Sequence, residues 1–378
     1  MSGPLIARLA RLVSFDTQNP PGNESECARF IAAELADIGL TVEIDEFVEG
    51  RANVVGKLVN GPGPAFAFNT HMDVVPAGAG WSGDPLVLRE AGANLLARGA
   101  CDAKGPLAAM IEAIALLAAE KGSWTGTLIG AFVADEEVAS AGARRLAAAR
   151  PAIDFVVVGE PSGNAPIIAH KGSLRPIVRV AGTSAHSGTP DLGVNAIFQA
   201  ARLLPRFSAL HEKLRVTPHS LIGAPSLTVT RIAAGIADNM IPDSCELLLD
   251  RRLIPGESEE SALAAIRAAL ADAAADGIAA EIIALKPTTG GAAETAPEHP
   301  IVAAALAAGR RHGLVDPHPF GFQGACDFVH FREIGAEGVV LGPGDLAVAH
   351  KPDEFVPRAE LAQAALIYRD IARALLST

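Results

Sequence analysis

Apolar residues recur at helical spacing at the head of the chain, where Leu5, Ile6, Leu9, Leu12 and Val13 alternate with arginines and predict an amphipathic helix rather than a secretion signal. From residue 53 to 160 the pattern changes to short apolar runs separated by longer helical ones. "NVVGKLV", "AFAFNTHMD", "TLIGAFVADEE" and "IDFVVVGEP" read as strands, and 106–120 and 141–149 as helices, which is the rhythm of a layered α/β sheet. After "HKGSL" the order becomes "RPIVRVAG", a helix over 195–204, "SLTVTRIAAG", "SCELLLDRRL", a helix over 258–275 and "AAEIIALK". Strand, helix, strand, strand, helix, strand is the order of a ferredoxin-like α+β unit. "KPTTGGAAETAPEHP" then reads as a return linker, followed by a helix over 301–312, "GVVLGPG" and a closing helix over 358–376. The pattern predicts a domain of residues 1–172 and 287–378 interrupted by a smaller domain over 173–286.

Composition narrows the function class. With 378 residues and 49% hydrophobic content the chain is long enough for two cores. Its 31 Lys and Arg against 43 Asp and Glu give a net charge of -12 with no basic run, which argues against nucleic acid as a partner. No apolar stretch approaches the roughly 20 residues of a membrane span, so a soluble protein without a membrane partner is expected. Cys27, Cys101, Cys245 and Cys326 are scattered, which disfavours a thiolate metal site and a disulfide framework and predicts a reducing, cytoplasmic setting.

The chemistry concentrates at strand ends. "AFAFNTHMD", "LLARGACDAKG", "GAFVADEE" and "VVVGEP" each follow an apolar run with ligand-type side chains, and α/β folds place their sites at such ends. His71 and Asp73, two apart, point to one side of an extended chain, so Asp73 is placed to hold the far imidazole nitrogen. Taken singly, each element has a plain alternative: Asp102 as a helix cap, Glu160 and the run Asp135, Glu136, Glu137 as solvated strand ends, His350 as a surface-loop histidine. Taken together, two imidazoles and several carboxylates at corresponding ends of neighbouring elements suit two divalent cations of the zinc, cobalt or manganese kind, about 4 Å apart, with one carboxylate shared.

"NTHMDVVP", "RGACDAKG", "ADEE", "VVGEPS", "AHSGTPDLGVNAI" and "GPGDLAVAHKPDEF" resemble, over nearly the whole chain, the two-zinc metallohydrolases that include acetylornithine deacetylase, succinyl-diaminopimelate desuccinylase, carboxypeptidase G and aminoacylase. The resemblance implies an α/β, zinc-peptidase-like layered catalytic domain with an inserted ferredoxin-like α+β dimerisation (lid) domain, and hence a homodimer. It implies His71 and Glu160 as ligands of one zinc, Glu137 and His350 as ligands of the other and Asp102 as the bridge. It further implies Asp73 as the partner of His71, Glu136 as general base, and a cis peptide after Asp102. His186 matches a histidine that steadies the oxyanion across the dimer, and Asn239 and Arg252 match substrate contacts. Gly342 and Gly344 let the loop before His350 approach a substrate closely. The expected activity is removal of an N-acyl group from an amino acid or related small molecule, acetylornithine deacetylase-like. A dipeptidase, carboxypeptidase or desuccinylase of the same family is the close alternative, and a catalytically silent binding homologue the distant one. "FGFQGACDFVHF", with Cys326 and Asp327, departs from the best-known branches.

Overall fold

The computed structural model describes residues 2–376. The chain forms two compact units. One holds the residues up to Ile168, Thr295–Gly321 and those from Cys326 onward; the other holds Ala169–Glu294 and Phe322–Ala325.

In the first unit, strands Thr41–Val48, Arg51–Asn60, Gly126–Val133, Ala65–His71, Phe155–Val158 and Glu337–Val340 lie side by side in that order. The first three pair antiparallel, and the last four run parallel. Helix Lys104–Ala119 is apolar nearly all round, as a helix buried on every side must be. Its Leu107, Ile111 and Ile114 share one core with Phe66, Phe68 and Phe132 of the sheet and with Tyr368 and Ile371 of helix Arg358–Leu376. Helix Ser25–Ile38 and the edge strand after it, neither singled out from the sequence, complete this side.

The parallel register positions the chemistry. His71 pairs with Val133, and Asn69 pairs with Val158, so two strands end level and the third two residues earlier, which brings Glu160 beside His71 and lets the residues at these ends emerge together. "HMD", "ADEE" and "GEP" therefore meet because of the ladder, although far apart in sequence.

In the second unit, strands Ser226–Ala234, Ser244–Leu253, Gly172–Ala181 and Ala280–Gly290 form an antiparallel sheet in that order. Helices Ala196–Leu214 and Glu259–Ala275 pack on it through Leu203, Phe207, Ile266 and Leu270. Two expectations are corrected. The first helix runs through Pro205 to Leu214, because Phe207, Leu210 and Leu214 continue the packed face and outweigh the hydrogen bond that proline forfeits. The segment 286–290, expected as linker, is strand; Pro287 is tolerated because this strand lies at the sheet's edge. No helix among the described residues is long and apolar enough to cross a membrane.

Candidate metal centre

At these strand ends, His71 Nε2 lies 3.2 Å from Asp102 Oδ1 and 3.9 Å from Glu160 Oε1. On the other side of Asp102, His350 Nε2 lies 3.2 Å from Oδ2 and 3.2 Å from Glu137 Oε2. The two oxygens of one carboxylate are thus divided between two imidazoles. By proximity, His71, Glu136 and Glu160 present ligand atoms within 4.8 Å of one another, and so do His71, Asp102 and Glu137. Burial removes the plain alternatives for three of these acids, since Asp102, Glu136 and Glu160 are 6%, 9% and 5% exposed and the residue before helix Lys104–Ala119 is Ala103, whereas His350 does stand in an exposed loop.

The electrostatics are those of a centre short of positive charge. Burial pushes Glu136 well above the usual carboxylate range, with Glu160 adding to it. Burial likewise raises Glu160 and Glu137, each with the neighbouring Asp102 charge as the next cause. Hydrogen bonds that His350 donates to Asp102 and Glu137 lift it to about 10. For His71 burial opposes the proton, but Asp102 and Asp73 outweigh it and hold the imidazole well above its ordinary value. Glu137 Oε1 is buried without a hydrogen-bond partner among the described residues. A donor set of imidazoles and carboxylates, an orphaned carboxylate oxygen and carboxylate proton affinities raised first by burial and then by neighbouring acids all fit a pair of divalent cations.

Asp73 anchors this centre from behind. Its backbone oxygen is 2.9 Å and its Oδ1 3.5 Å from His71 Nδ1. Its carboxylate also accepts from the backbone N–H of Glu136 at 3.1 Å and of Glu137 at 3.2 Å. Asp135, the acid of the run without an assigned role, turns away from the imidazoles in a left-handed conformation (φ 72°) and accepts from Asn19 Nδ2 at 2.9 Å and Arg51 at 2.9 Å. Sequence reasoning also passed over Glu354. It accepts from the backbone N–H of Cys101 at 2.9 Å and Asp102 at 3.0 Å and pairs with the buried Arg98, tying the Asp102 turn to the loop of His350. "PDEF" carried the only signal, an acid just past a ligand loop.

The peptide between Asp102 and Ala103 is cis. Gly344 has φ 89°, and a Cβ there would stand 2.5 Å from Cys101 Sγ, so the fold itself demands glycine. Asp327 is buried and its pKa raised by that burial, against the pull of His330 and Ser140.

His186, Asn239 and Arg252 lie in the second unit. His186 and Asn239 sit on adjoining segments, with Ser187 N–H donating to Asn239 O at 2.9 Å and His186 Nδ1 accepting from Gly188 at 3.0 Å. Arg251 is 2% exposed and held by Glu257, whereas Arg252 is partly open to solvent and pairs with Asp250 at 2.7 Å.

Residues 67–374 match the model of peptidase family M20/M25/M40. An acetylornithine deacetylase from Myxococcus xanthus is 34% identical over 382 residues, covering 97% of each chain. The fold matches that of an M20 family metallo-carboxypeptidase from Sulfolobus solfataricus with a TM-score of 0.82 at 18% identity, over 98% of this chain and 99% of the other. It also matches a dinuclear metal binding peptidase of the M20 family from Bacillus subtilis with a TM-score of 0.75 at 20% identity, over 99% and 98%. At such identities the solved structures speak for the fold, while the family model spans well over half of the chain and the Myxococcus relative nearly all of it. The chain therefore belongs to peptidase family M20/M25/M40 and is a hydrolase of amide bonds.

Proposed function

We propose that this hydrolase removes the acyl group from the nitrogen of an amino acid or related small molecule, in the manner of an acetylornithine deacetylase, with two divalent cations as cofactors. The division of the Asp102 oxygens between His71 and His350 carries this reading. His71 and Glu160 would hold one cation, Glu137 and His350 the other, and Asp102 both; zinc suits the donors best, with cobalt or manganese acceptable. When bound, such cations act as Lewis acids toward the scissile carbonyl and make water more acidic.

Glu136 takes the proton from the attacking water as the oxygen bonds to the carbonyl carbon, then gives it to the nitrogen as the C–N bond breaks. Asp73 holds His71 in orientation through Nδ1. His186 would steady the oxyanion in a partner chain's site, Asn239 and Gly344 would contact the substrate, and Arg252 would take its carboxylate through two parallel hydrogen bonds. The burial of Arg251 in its own ion pair favours Arg252 for that task. A homodimer is supported by the exposed Phe198 on helix Ala196–Leu214 and Ile232 on the edge strand Ser226–Ala234 of the second unit.

The deciding variant is Glu136→Gln. Turnover should fall about 10²- to 10⁴-fold with both metals retained in elemental analysis. Near-normal turnover would remove Glu136 from the mechanism, and loss of metal would make it a ligand, as its proximity to His71 and Glu160 permits. Arg252→Ala should weaken binding of substrates with a free carboxylate about tenfold more than that of their amides. A panel of N-acyl amino acids and dipeptides separates deacylase from dipeptidase. After random reassembly of equal amounts of Glu136→Ala and His186→Ala chains, half the dimers are mixed and one site in each is repaired, so about a quarter of all sites should recover if His186 serves its partner.

A further inference from the structure

We infer that Asn19 is a positioning residue of the catalytic centre: it fixes Asp73 and, through it, the backbone that presents Glu136 and Glu137. This rests on the amidohydrolase reading above. Asn19 is 4% exposed, and its amide nitrogen donates to Asp73 Oδ2 at 2.8 Å and to Asp135 Oδ1 at 2.9 Å. A side-chain amide nitrogen carries two hydrogens, so one atom satisfies both carboxylates and separates two charges that would otherwise face each other.

The surroundings are built to present that amide. Residues 17–19 run alongside 72–74, with Thr17 Oγ1 donating to Met72 O at 2.7 Å, Val74 N–H to Thr17 O at 3.1 Å and Asn19 N–H to Val74 O at 2.8 Å. Asp135 is steadied at the same oxygen, Oδ1, by Arg51, whose guanidinium also donates two bonds of 2.8 Å to the buried Glu24. What Asp73 receives from Asn19 it passes on, because the same carboxylate accepts the N–H groups of Glu136 and Glu137 and faces His71 Nδ1. With Asn19 the acid run is gripped at both ends, Asp135 by its side chain and Glu136 and Glu137 by their backbone.

Two variants of similar shape separate this role from packing. Asn19→Leu removes the donors, and Asn19→Asp replaces the donor by a third acceptor between two carboxylates. In the zinc-loaded enzyme Asn19→Leu should lower kcat about tenfold with KM nearly unchanged, and zinc competition against a chromogenic chelator should show affinity weakened by a similar factor. Asn19→Asp should be worse on both readouts, although it is closer to asparagine in shape. In an Asp73→Asn background, Asn19→Leu should add less than about twofold, because the two act in one chain of contacts. The inference is overturned if Asn19→Asp matches the parent, or if the losses from Asn19 and Asp73 multiply independently. The chelator arm needs no substrate. It decides on Asn19 even if the parent enzyme cleaves no N-acyl amino acid, a result that would overturn the functional reading and not this one.

Discussion

Asp102 and Asp370 are both buried carboxylates of the first unit held in the charged form by basic partners, and they differ in how many other acids compete for those partners. Asp370 is met by guanidinium groups of Arg311, Arg369 and Arg373 and by His312 Nε2 at 3.0 Å. Burial works against its charge, yet Arg311, Arg369 and His312 together hold its pKa down at about 2. Burial works against the charge of Asp102 too, and His350 and His71 outweigh it and hold its pKa well below the usual range, but it shares those two imidazoles with Glu137 and Glu160, whose proton affinities are raised. One cluster supplies its own countercharge from the chain, whereas the other leaves that charge to be brought from outside. Burial of acids is therefore no mark of function; an uncompensated surplus of them is.

That contrast can be broken at its strongest point by Asp102→Asn, which should abolish measurable turnover and lower the metal content of both sites, as read by elemental analysis beside kinetics. Retention of both metals would show that Asp102 is not shared. Next in size, chelation of the parent protein should lower its melting temperature, and zinc at a hundredfold excess over its dissociation constant should restore about 2.7 kcal/mol for each site filled. Glu137→Gln should lose one metal and keep the other. The smallest effect belongs to the self-sufficient cluster. The folded pKa of Asp370 is depressed, so its contribution is present at pH 7 and is lost as pH falls from about 4 toward 2. Asp370→Asn should cost on the order of 1 kcal/mol at neutral pH, since Arg311 is largely in water, and the difference from the parent should vanish near pH 2. Zinc should leave that difference unchanged.

Much of the centre was legible because its residues follow apolar strands, and strand ends are visible as pattern: His71, Glu136, Glu137 and Glu160 all stand within a few positions of one. The supports were not legible. Asn19 and Glu354 act on backbone and carboxylates far along the chain, and an asparagine or glutamate in a loop carries no mark of what it will touch. Arg51 reads as a strand-edge charge until Glu24 and Asp135 fold against it. In the second unit, the proline in "LLPRF" reads as a helix end, and only the sheet beneath Phe207 explains why the helix continues.

The first unit is assembled from segments on either side of an insertion, and this orders events during synthesis. About 190 residues separate Glu160 from His350, which at roughly 5–20 residues per second is some 10 to 40 seconds of translation. For that time the nascent chain holds His71, Asp102 and Glu160 without His350, and helix Lys104–Ala119 without the cover of Arg358–Leu376. The inserted unit completes its core earlier, so the piece born in the middle is ready before the domain that surrounds it. A chaperone, or early capture of a metal ion, has its opening in that interval.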